Sequence, residues 1–206
     1  MERKEISKAV LKRLPGYLSY LKGLDAQYIS ATAIATALNM GEVQVRKDLA
    51  AVSDGGRPKI GYERLSLMED ISSFLGYDNA TDAILVGAGK LGQALLGYSG
   101  FEAYGLNILA AFDTAPAATE MEGKPVMHIS SLPEFCNRRN VLMGIITVPV
   151  DAAQTVCDRL IDCGIKAIWN FAPTHLEVPD GILVQNENMA TSLAVLSMHL
   201  QAQIKK

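Results

Sequence analysis

The feature that most constrains the fold of this chain is residues 82–98, DAILVGAGKLGQALLGY. Four apolar residues lead into Gly87, Gly89 and Gly92, and a helical pattern of apolar residues follows. The order of strand, glycine turn and helix is typical of a βαβ unit that binds a dinucleotide. Gly87 would allow the tight turn, Gly89 a close approach of the pyrophosphate, and Gly92 close packing of helix on sheet.

An acidic residue stands where such a unit needs one. A second apolar run, residues 107–112, ends in Asp113, which lies 21 residues beyond Gly92. A carboxylate about 20 residues after the glycines accepts hydrogen bonds from the adenosine ribose and repels a 2′-phosphate. We therefore predict that NADH and NAD⁺ bind here, rather than their phosphorylated forms. The competing interpretation is a strand, turn and helix that bind no ligand.

The alternation of strands and helices continues beyond Asp113. Strands are predicted at residues 125–129, 141–148, 166–171 and 182–185, with helices at 132–137 and after Pro149. This order predicts an α/β, Rossmann-like domain with a parallel sheet, assigned to residues 79–187. Ligands bind such sheets at the carboxyl ends of the strands. The predicted cofactor contacts are therefore Gly87, Ala88, Gly89, Lys90, Leu91, Gly92, Asp113, Thr147, Val148, Pro149, Asn170, Phe171 and Ala172.

A helix-turn-helix is predicted in the preceding domain, residues 1–78. Ser30 can cap a short helix that runs to Leu38. Residues 39–41 supply a turn, and a second helix follows over residues 42–52. Two short helices joined by a three-residue turn that contains glycine are typical of this DNA-binding motif.

Two further helices complete the N-terminal domain. Leucines at helical spacing predict the first over residues 7–24, with a start or a kink at Pro15. The second, over residues 65–77, would connect the two domains.

The second helix of the motif presents a polar outer face. On a helical wheel Val45 and Leu49 share the inner side, whereas Gln44, Arg46 and Lys47 lie on the flanks and the opposite side. These side chains can bond base edges and phosphates in a major groove. The alternative is a solvated amphipathic helix without a ligand.

A basic hairpin is predicted directly after this helix. Residues 54–56, Asp-Gly-Gly, end the helix, Arg57 and Lys59 follow in a short loop, and Ile60 and Tyr62 alternate as in a strand. The segment has the pattern of the wing of a winged helix, which lies along the DNA backbone or minor groove. A surface hairpin without function is the alternative. The predicted contacts to double-stranded DNA are Gln44, Arg46, Lys47, Arg57 and Lys59.

Charge and composition limit the remaining classes. Residues 1–80 hold 11 Lys and Arg against 10 Asp and Glu, whereas residues 81–206 hold 8 against 12, a mild asymmetry. No apolar run is long enough to span a membrane, and the first ten residues do not resemble a signal peptide. The three cysteines, Cys136, Cys157 and Cys163, lack metal-ligand spacing. We expect a cytoplasmic protein with reduced thiols, no metal and no membrane partner.

The final helix, residues 188–206, carries a broad apolar stripe: Met189, Leu193, Leu196, Leu200 and Ile204. Such a face needs a surface that buries it, either on its own domain or on a second subunit.

The ordered set of motifs resembles the Rex family of redox-sensing transcriptional repressors. The resemblance covers essentially the whole chain and rests on QVRKDLA (44–50), GAGKLG (87–92), TVP (147–149), GIKAIWNFAP (164–173) and the final helix. It implies a homodimer that binds palindromic operators when NADH is low and releases them when NADH rises. It also implies that the final helix is exchanged between subunits.

The resemblance further implies an NADH-linked switch. Its members would be an arginine in the first helix, a tyrosine after the glycine helix and an acidic residue before the exchanged helix. The matching positions are Arg13, Tyr98 and Asn188, so this chain has an amide where the family pattern has an acid. Tyr98 and Asn188 are included among the predicted cofactor contacts. Because an amide carries no charge, the response to ligand is expected to be weaker or rewired.

Two other functions are compatible with parts of the sequence. A small NAD-dependent dehydrogenase would need an acid or base near the nicotinamide, and His175, after the NFAP segment, is the candidate. His128 is expected at a strand end away from the ligand crevice, and His199 lies within the final helix. A nucleotide-binding interaction module that never contacts DNA is the second alternative, against which the basic wing argues.

Overall fold

The computed structural model describes residues 7–204, which fold as two compact units. One unit holds the chain up to Asn79 together with Ala103–Gly105. The other holds Ala80–Glu102 and the chain from Leu106 onwards. Apart from residues 103–105, the division therefore falls after Asn79, against a predicted boundary after residue 78.

The N-terminal unit is mainly helical. Its elements are α1 (Lys8–Lys22), β1 (Tyr28–Ile29), α2 (Ala31–Ala37), α3 (Glu42–Val52), β2 (Tyr62–Glu63) and α4 (Arg64–Leu75). Each of the four helices contributes buried apolar side chains to a single core, among them Leu14, Tyr17, Ile34, Leu49 and Ile71. This core stabilises the helices, which are too short to be stable alone.

Helices α2 and α3 form the predicted helix-turn-helix. The Ser30 hydroxyl accepts a hydrogen bond from the Ala33 amide at 3.0 Å, so serine caps α2 as expected. In the turn, Asn39 adopts a left-handed backbone with φ of 53°, a conformation that asparagine tolerates. The Met40 amide then donates to the Ala35 carbonyl at 2.8 Å. The chain is thereby turned before α3 begins at Glu42.

The hairpin after α3 is smaller than the sequence suggests. Backbone hydrogen bonds of 2.8 and 2.9 Å join Arg57 and Gly61 in both directions, and Lys59 lies in the turn with φ of 65°. The following strand pairs Tyr62 with Ile29 of β1. Gly61 has φ of 89°, and a Cβ there would collide with the Ile29 carbonyl oxygen. Glycine is therefore required where the wing joins the small sheet.

A seven-stranded sheet forms the centre of the second unit. Its strands are β3 (Thr81–Val86), β4 (Leu106–Asp113), β5 (Glu120–Met121), β6 (Lys124–His128), β7 (Met143–Ile146), β8 (Ala167–Asn170) and β9 (Leu183–Asn186). They lie in the order β5-β6-β4-β3-β7-β8-β9, and all neighbours are parallel except β5 and β6. The strand order reverses between β3 and β7, which is the switch point where ligands bind in such folds.

Both faces of this sheet are buried, as a doubly wound fold requires. Ile84 and Val86 belong to one core cluster, whereas the alternate residues Ala83 and Leu85 belong to another. Three helices contribute further residues to these clusters: α5 (Lys90–Leu96), α6 (Leu132–Arg139) and α7 (Val150–Asp162).

Three details differ from the sequence-based expectations. Pro15 lies inside α1, which begins at Lys8, so the helix does not start at the proline; buried residues lie on both sides of it. The predicted strand over residues 141–148 is shorter, Met143–Ile146. Strand β5 was not predicted. It pairs with β6 through a tight turn in which Glu122 and Gly123 both have positive φ.

The expected position of His128 was wrong. Strand β6 runs parallel to β4 and places His128 in register with Asp113 at the carboxyl edge of the sheet. Its Nδ1 atom lies 2.8 Å from the Ser130 hydroxyl. The direction of β6 relative to β4 decides this placement, and the pattern of a short apolar run does not encode it.

The last helix, α8 (Met189–Ile204), is exposed along its whole length. The stripe of large apolar residues is as predicted, and each is more than half exposed: Met189, Leu193, Leu196, Leu200 and Ile204. Among the described residues of this chain, none covers the apolar stripe of this helix. Nowhere in residues 7–204 is a helix both long and apolar enough to cross a membrane.

Candidate nucleotide site and nucleic-acid interface

The three glycines of the loop between β3 and α5 have different structural requirements. Gly87 has φ of 105°, and a Cβ there would lie 2.9 Å from the Thr147 backbone. A Cβ on Gly92 would collide with the Gly87 carbonyl oxygen. A Cβ on Gly89 would meet no atom within 4 Å. The protein itself thus requires glycine at two positions and leaves the third open on the side where a pyrophosphate would approach.

Thr147 ties the second predicted segment to this loop. Its hydroxyl lies 2.7 Å from the Gly87 carbonyl and 3.1 Å from the Val86 carbonyl, and donates to them. Its amide donates to the Val86 carbonyl at 2.9 Å. The ends of β3 and β7 are therefore joined at the switch point. Next to Thr147, Val148 is half-buried and Pro149 is exposed.

Asp113 ends β4 beside the glycine loop. One carboxylate oxygen accepts a hydrogen bond from the Ala88 amide at 2.7 Å, and the other accepts from the Ala115 amide at 2.9 Å. The carboxylate is thus fixed at the edge of the sheet and half-buried. A carboxylate oxygen can accept more than one hydrogen bond, so this placement leaves capacity for ribose hydroxyls.

The NFAP segment is held mainly by its own asparagine. Asn170 is fully buried, and its amide donates to the carbonyls of Ala172 and Thr174 and to the Asn186 side chain at 2.8–3.1 Å. Its side-chain oxygen accepts from the Ala172 amide at 3.0 Å. Ala172 is also buried. The two side chains therefore help to shape the loop, and of the predicted contacts in this segment only Phe171, which is half-buried, keeps part of its side chain exposed.

Four aromatic rings form a continuous cluster at this end of the sheet. Tyr98 meets Phe101 at 4.9 Å between ring centroids, Phe101 meets Trp169 at 5.6 Å, and Trp169 meets Phe171 at 4.8 Å. The Trp169 indole donates to the Glu187 carboxylate at 2.9 Å. Sequence reasoning proposed Tyr98 and Phe171 but missed the rings of Phe101 and Trp169 and the carboxylate of Glu187, because contacts between β8, β9 and the segment after α5 have no local pattern.

His175 lines a cavity of about 270 Å³ with Glu187, Asn188 and the loop after β8. A histidine and a carboxylate therefore share one cavity, which the sequence did not suggest. Glu187 is already bonded to Trp169. Burial raises the pKa of the Cys136 and Cys157 thiols to about 11, so both stay protonated near neutral pH and are poor nucleophiles. Across the described part of the chain, His, Cys, Asp and Glu form no cluster that could hold a metal ion.

The predicted DNA-contact residues are all exposed: Gln44, Arg46, Lys47, Arg57 and Lys59. The inner face of α3 is buried through Val45 and Leu49, as the helical wheel predicts. Arg46 forms an ion pair with Glu42 one turn earlier. At an exposed site such a pair contributes little to stability, so the arginine can be released to a phosphate.

A buried carboxylate, Asp48, faces the first helix from α3. Arg13 donates to it through Nε at 2.7 Å and Nη2 at 2.9 Å, and the Tyr17 hydroxyl donates at 2.8 Å. Burial and the hydrogen bond to Asp48 raise the pKa of Tyr17 to about 12, and the hydrogen bond to Asp48 raises the pKa of Arg13. Sequence analysis assigned no role to Asp48, although a charged residue three positions from Val45 on the inner face was a signal.

Two family models match the chain. The model described as "CoA binding domain" matches residues 78–174, and the one described as "Putative DNA-binding protein N-terminus" matches residues 5–50. A relative named redox-sensing transcriptional repressor Rex, from Porphyromonas gingivalis, is 43% identical over 93% of this chain and 90% of its own length. A Rex relative from Bacteroides thetaiotaomicron is 39% identical with the same coverage.

Two solved structures of RSP are also similar to this chain over nearly its whole length. A crystal structure of RSP in complex with beta-NAD⁺ and operator DNA is 35% identical, covers 97% of this chain and 94% of that chain, and has a TM-score of 0.90. RSP in complex with beta-NADH is 34% identical, covers 97% and 96%, and has a TM-score of 0.87. This chain belongs to the Rex family of redox-sensing transcriptional repressors.

Within the Rex family, the amide at position 188 departs from the expected acid. The Asn188 side-chain oxygen accepts a hydrogen bond from the Thr191 amide at 3.1 Å and so caps α8. Aspartate and asparagine cap helices about equally well, so the substitution preserves the local structure and removes only a charge. Arg13, the other end of the expected switch, is bonded to Asp48 instead. The switch formed by Arg13, Tyr98 and Asn188 stays a prediction.

Proposed function

We propose that this chain is a transcriptional repressor that binds palindromic operator DNA as a homodimer and releases it on binding NADH. The observation that carries the proposal is that one Rex-family chain contains two sites. One is an exposed, basic recognition-type helix, and the other is a glycine loop open at Gly89 beside a fixed Asp113. The first fits DNA and the second fits a dinucleotide, so a ligand-controlled DNA-binding protein uses both.

The geometry of the glycine loop supports a particular set of residues as the nucleotide contacts. The pyrophosphate would lie over Gly89 and the first amides of α5, which have no partners within the helix. The ribose hydroxyls would bond Asp113. NAD⁺ carries a positive charge on its nicotinamide ring that NADH lacks, and Tyr98 and Phe171 are the aromatic side chains proposed to meet this ring.

The proposed DNA contacts lie on α3 and on the wing. Arg46 and Lys47 would reach bases or phosphates of the major groove, and Arg57 and Lys59 would follow the backbone. A homodimer is supported by α8, whose large apolar side chains are exposed on this chain. Exposed apolar surface of this kind marks a protein interface, and a second copy would supply its cover.

We also infer that the chain does not turn over NADH. Its relatives are named as regulators, and the carboxylate that shares the cavity with His175, that of Glu187, is bonded to an indole. Purified protein incubated with NADH and a panel of small carbonyl acceptors should show no loss of absorbance at the NADH band. Turnover that disappears in His175→Ala would instead support a dehydrogenase.

The central experiment measures release of DNA. Duplexes bound by the protein are selected from a random pool, and the best one is labelled for fluorescence anisotropy. NADH and NAD⁺ are then titrated into the preformed complex. We expect NADH to release the duplex and NAD⁺ to leave it largely bound, because a ligand shifts an equilibrium only by its difference in affinity for the two states.

Release by both nucleotides in proportion to their binding constants would contradict redox sensing, and so would release by neither. Binding of NADH with no binding of any duplex would support the interaction-module alternative.

A further inference from the structure

The bond network around Asp48 extends to one of the predicted DNA-contact residues. Asp48 is 3% exposed, and of the described residues it is the single charged one that is buried. Its two oxygens hold the guanidinium of Arg13, which reaches α3 from α1 and keeps 22% of its side chain exposed. The planar arginine fork is therefore fixed on one side by a carboxylate.

Gln44, one turn before Asp48 on α3, faces the same guanidinium. With its amide oxygen turned towards Arg13, that oxygen lies 2.9 Å from Nη1, 3.1 Å from Nη2 and 3.2 Å from Nε. The opposite orientation would place the amide nitrogen against a group that only donates hydrogen bonds. Arg13 thus occupies the acceptor end of Gln44 and leaves the exposed amide NH₂ group, with its two donors, available.

We propose that Asp48 and Arg13 are positioning residues that orient Gln44 to present donors to DNA. This inference rests on the proposed function, in which α3 enters a major groove. A glutamine that is free to turn recognises adenine with one donor and one acceptor. More than one N–H group of Arg13 lies within reach of the Gln44 oxygen, so the guanidinium can occupy both lone pairs and leave the amide only donors to offer. Guanine presents two neighbouring acceptors, N7 and O6. The base read by Gln44 is therefore guanine rather than adenine.

The test compares base preference in a pool of duplexes randomised over each half-site. Gln44→Ala should lose the base preference at one position of the half-site. At that position the native protein should select guanine over adenine roughly five- to 150-fold, the range of one good base contact. Arg13→Lys should reduce this preference to below about threefold, because a compact ammonium that pairs with Asp48 lacks the planar fork that here spans Asp48 and the Gln44 oxygen. Lys12→Met, a change to an exposed cation on the same helix, is the matched control and should leave base preference unchanged.

Folding is checked separately by thermal unfolding and by NADH titration of each variant. A purely structural role for Arg13 would lower stability and weaken all duplexes evenly, with the guanine preference intact, and that result would overturn the proposal. The proposal would also be overturned if the native protein selected adenine at the position that depends on Gln44. It would be overturned as well if Gln44→Ala changed the base preference at no position. If the native protein bound no duplex at all, that result would instead contradict the proposed function.

Discussion

The glycine loop and helix α3 differ in what fixes the groups that we propose to bind ligands. In the loop, backbone contacts determine the geometry, since neither Gly87 nor Gly92 leaves room for a Cβ. On α3, the side chains proposed to contact DNA are exposed, whereas the opposite face of the same helix is buried in the core. A change in the loop is therefore expected to affect folding and binding together. A change on the outer face of α3 should affect binding alone.

The largest expected effect comes from the exposed cations. The quadruple substitution of Arg46, Lys47, Arg57 and Lys59 by alanine should weaken operator binding by about 4 kcal/mol or more, at about 1 kcal/mol for each contact. The dependence of log affinity on log salt should become shallower by up to about four. Anisotropy titrations at several salt concentrations measure both quantities.

The loss of DNA binding is informative only if the quadruple alanine variant remains folded. Its melting temperature and its NADH affinity should match those of the native protein, because none of the four side chains belongs to the core. Unchanged operator affinity would contradict the winged-helix assignment.

The next effect tests the loop. Gly92→Ala should destabilise the second unit by about 3 kcal/mol, since the new methyl group collides with backbone that cannot move without shifting α5. NADH binding should be lost with it. Denaturant unfolding followed by the fluorescence of Trp169, the single tryptophan of the chain, measures the change.

Gly89→Ala is the matched control because a Cβ there meets no protein atom. It should keep native stability and still bind NADH more weakly, by about tenfold (about 1.4 kcal/mol). Equal stability of Gly92→Ala and Gly89→Ala would contradict the distinction between the two glycines.

A smaller effect is expected at the carboxylate beside the loop. Asp113→Ala removes the predicted ribose acceptor and the bond to the Ala88 amide. NADH affinity should fall by about 1–3 kcal/mol, the usual cost of leaving polar partners unpaired. The preference for NADH over NADPH should narrow, because a 2′-phosphate is no longer repelled. Calorimetric titration with NADH and NADPH measures both affinities. If the native protein bound NADPH more tightly than NADH, Asp113 would have another role.

The smallest expected effect comes from the cap of α2, where a change should lower the stability of the N-terminal unit and leave DNA binding nearly unchanged. Ser30→Ala removes the cap of α2 and should cost about 1 kcal/mol of stability. Because Ser30 caps α2 and is not on α3, operator affinity at a temperature well below unfolding should change little. A large loss of affinity without loss of stability would mean that Ser30 itself contacts DNA. Ser30→Asp, which can also cap, should restore stability.

Local patterns in the sequence predicted the elements whose determinants lie close together along the chain. The glycine loop, the Ser30 cap, and the bounds of α3 depend on residues within one or two turns of each other, so spacing alone identified them. The apolar stripe of α8 was equally visible, as was the strand that ends in Asp113. Resemblance to the Rex family then connected these elements to one function.

Contacts between residues far apart in the chain decided the rest. The partners of Asp48 come from a helix more than 30 residues earlier, and the bonds of Asn170 close a loop whose shape depends on the neighbouring strand. The direction of β6 placed His128 at the ligand edge, and the packing of β8 brought Trp169 against Phe101. A hydrogen bond or a ring contact depends on distances of a few ångströms, and these exist only after the elements have packed.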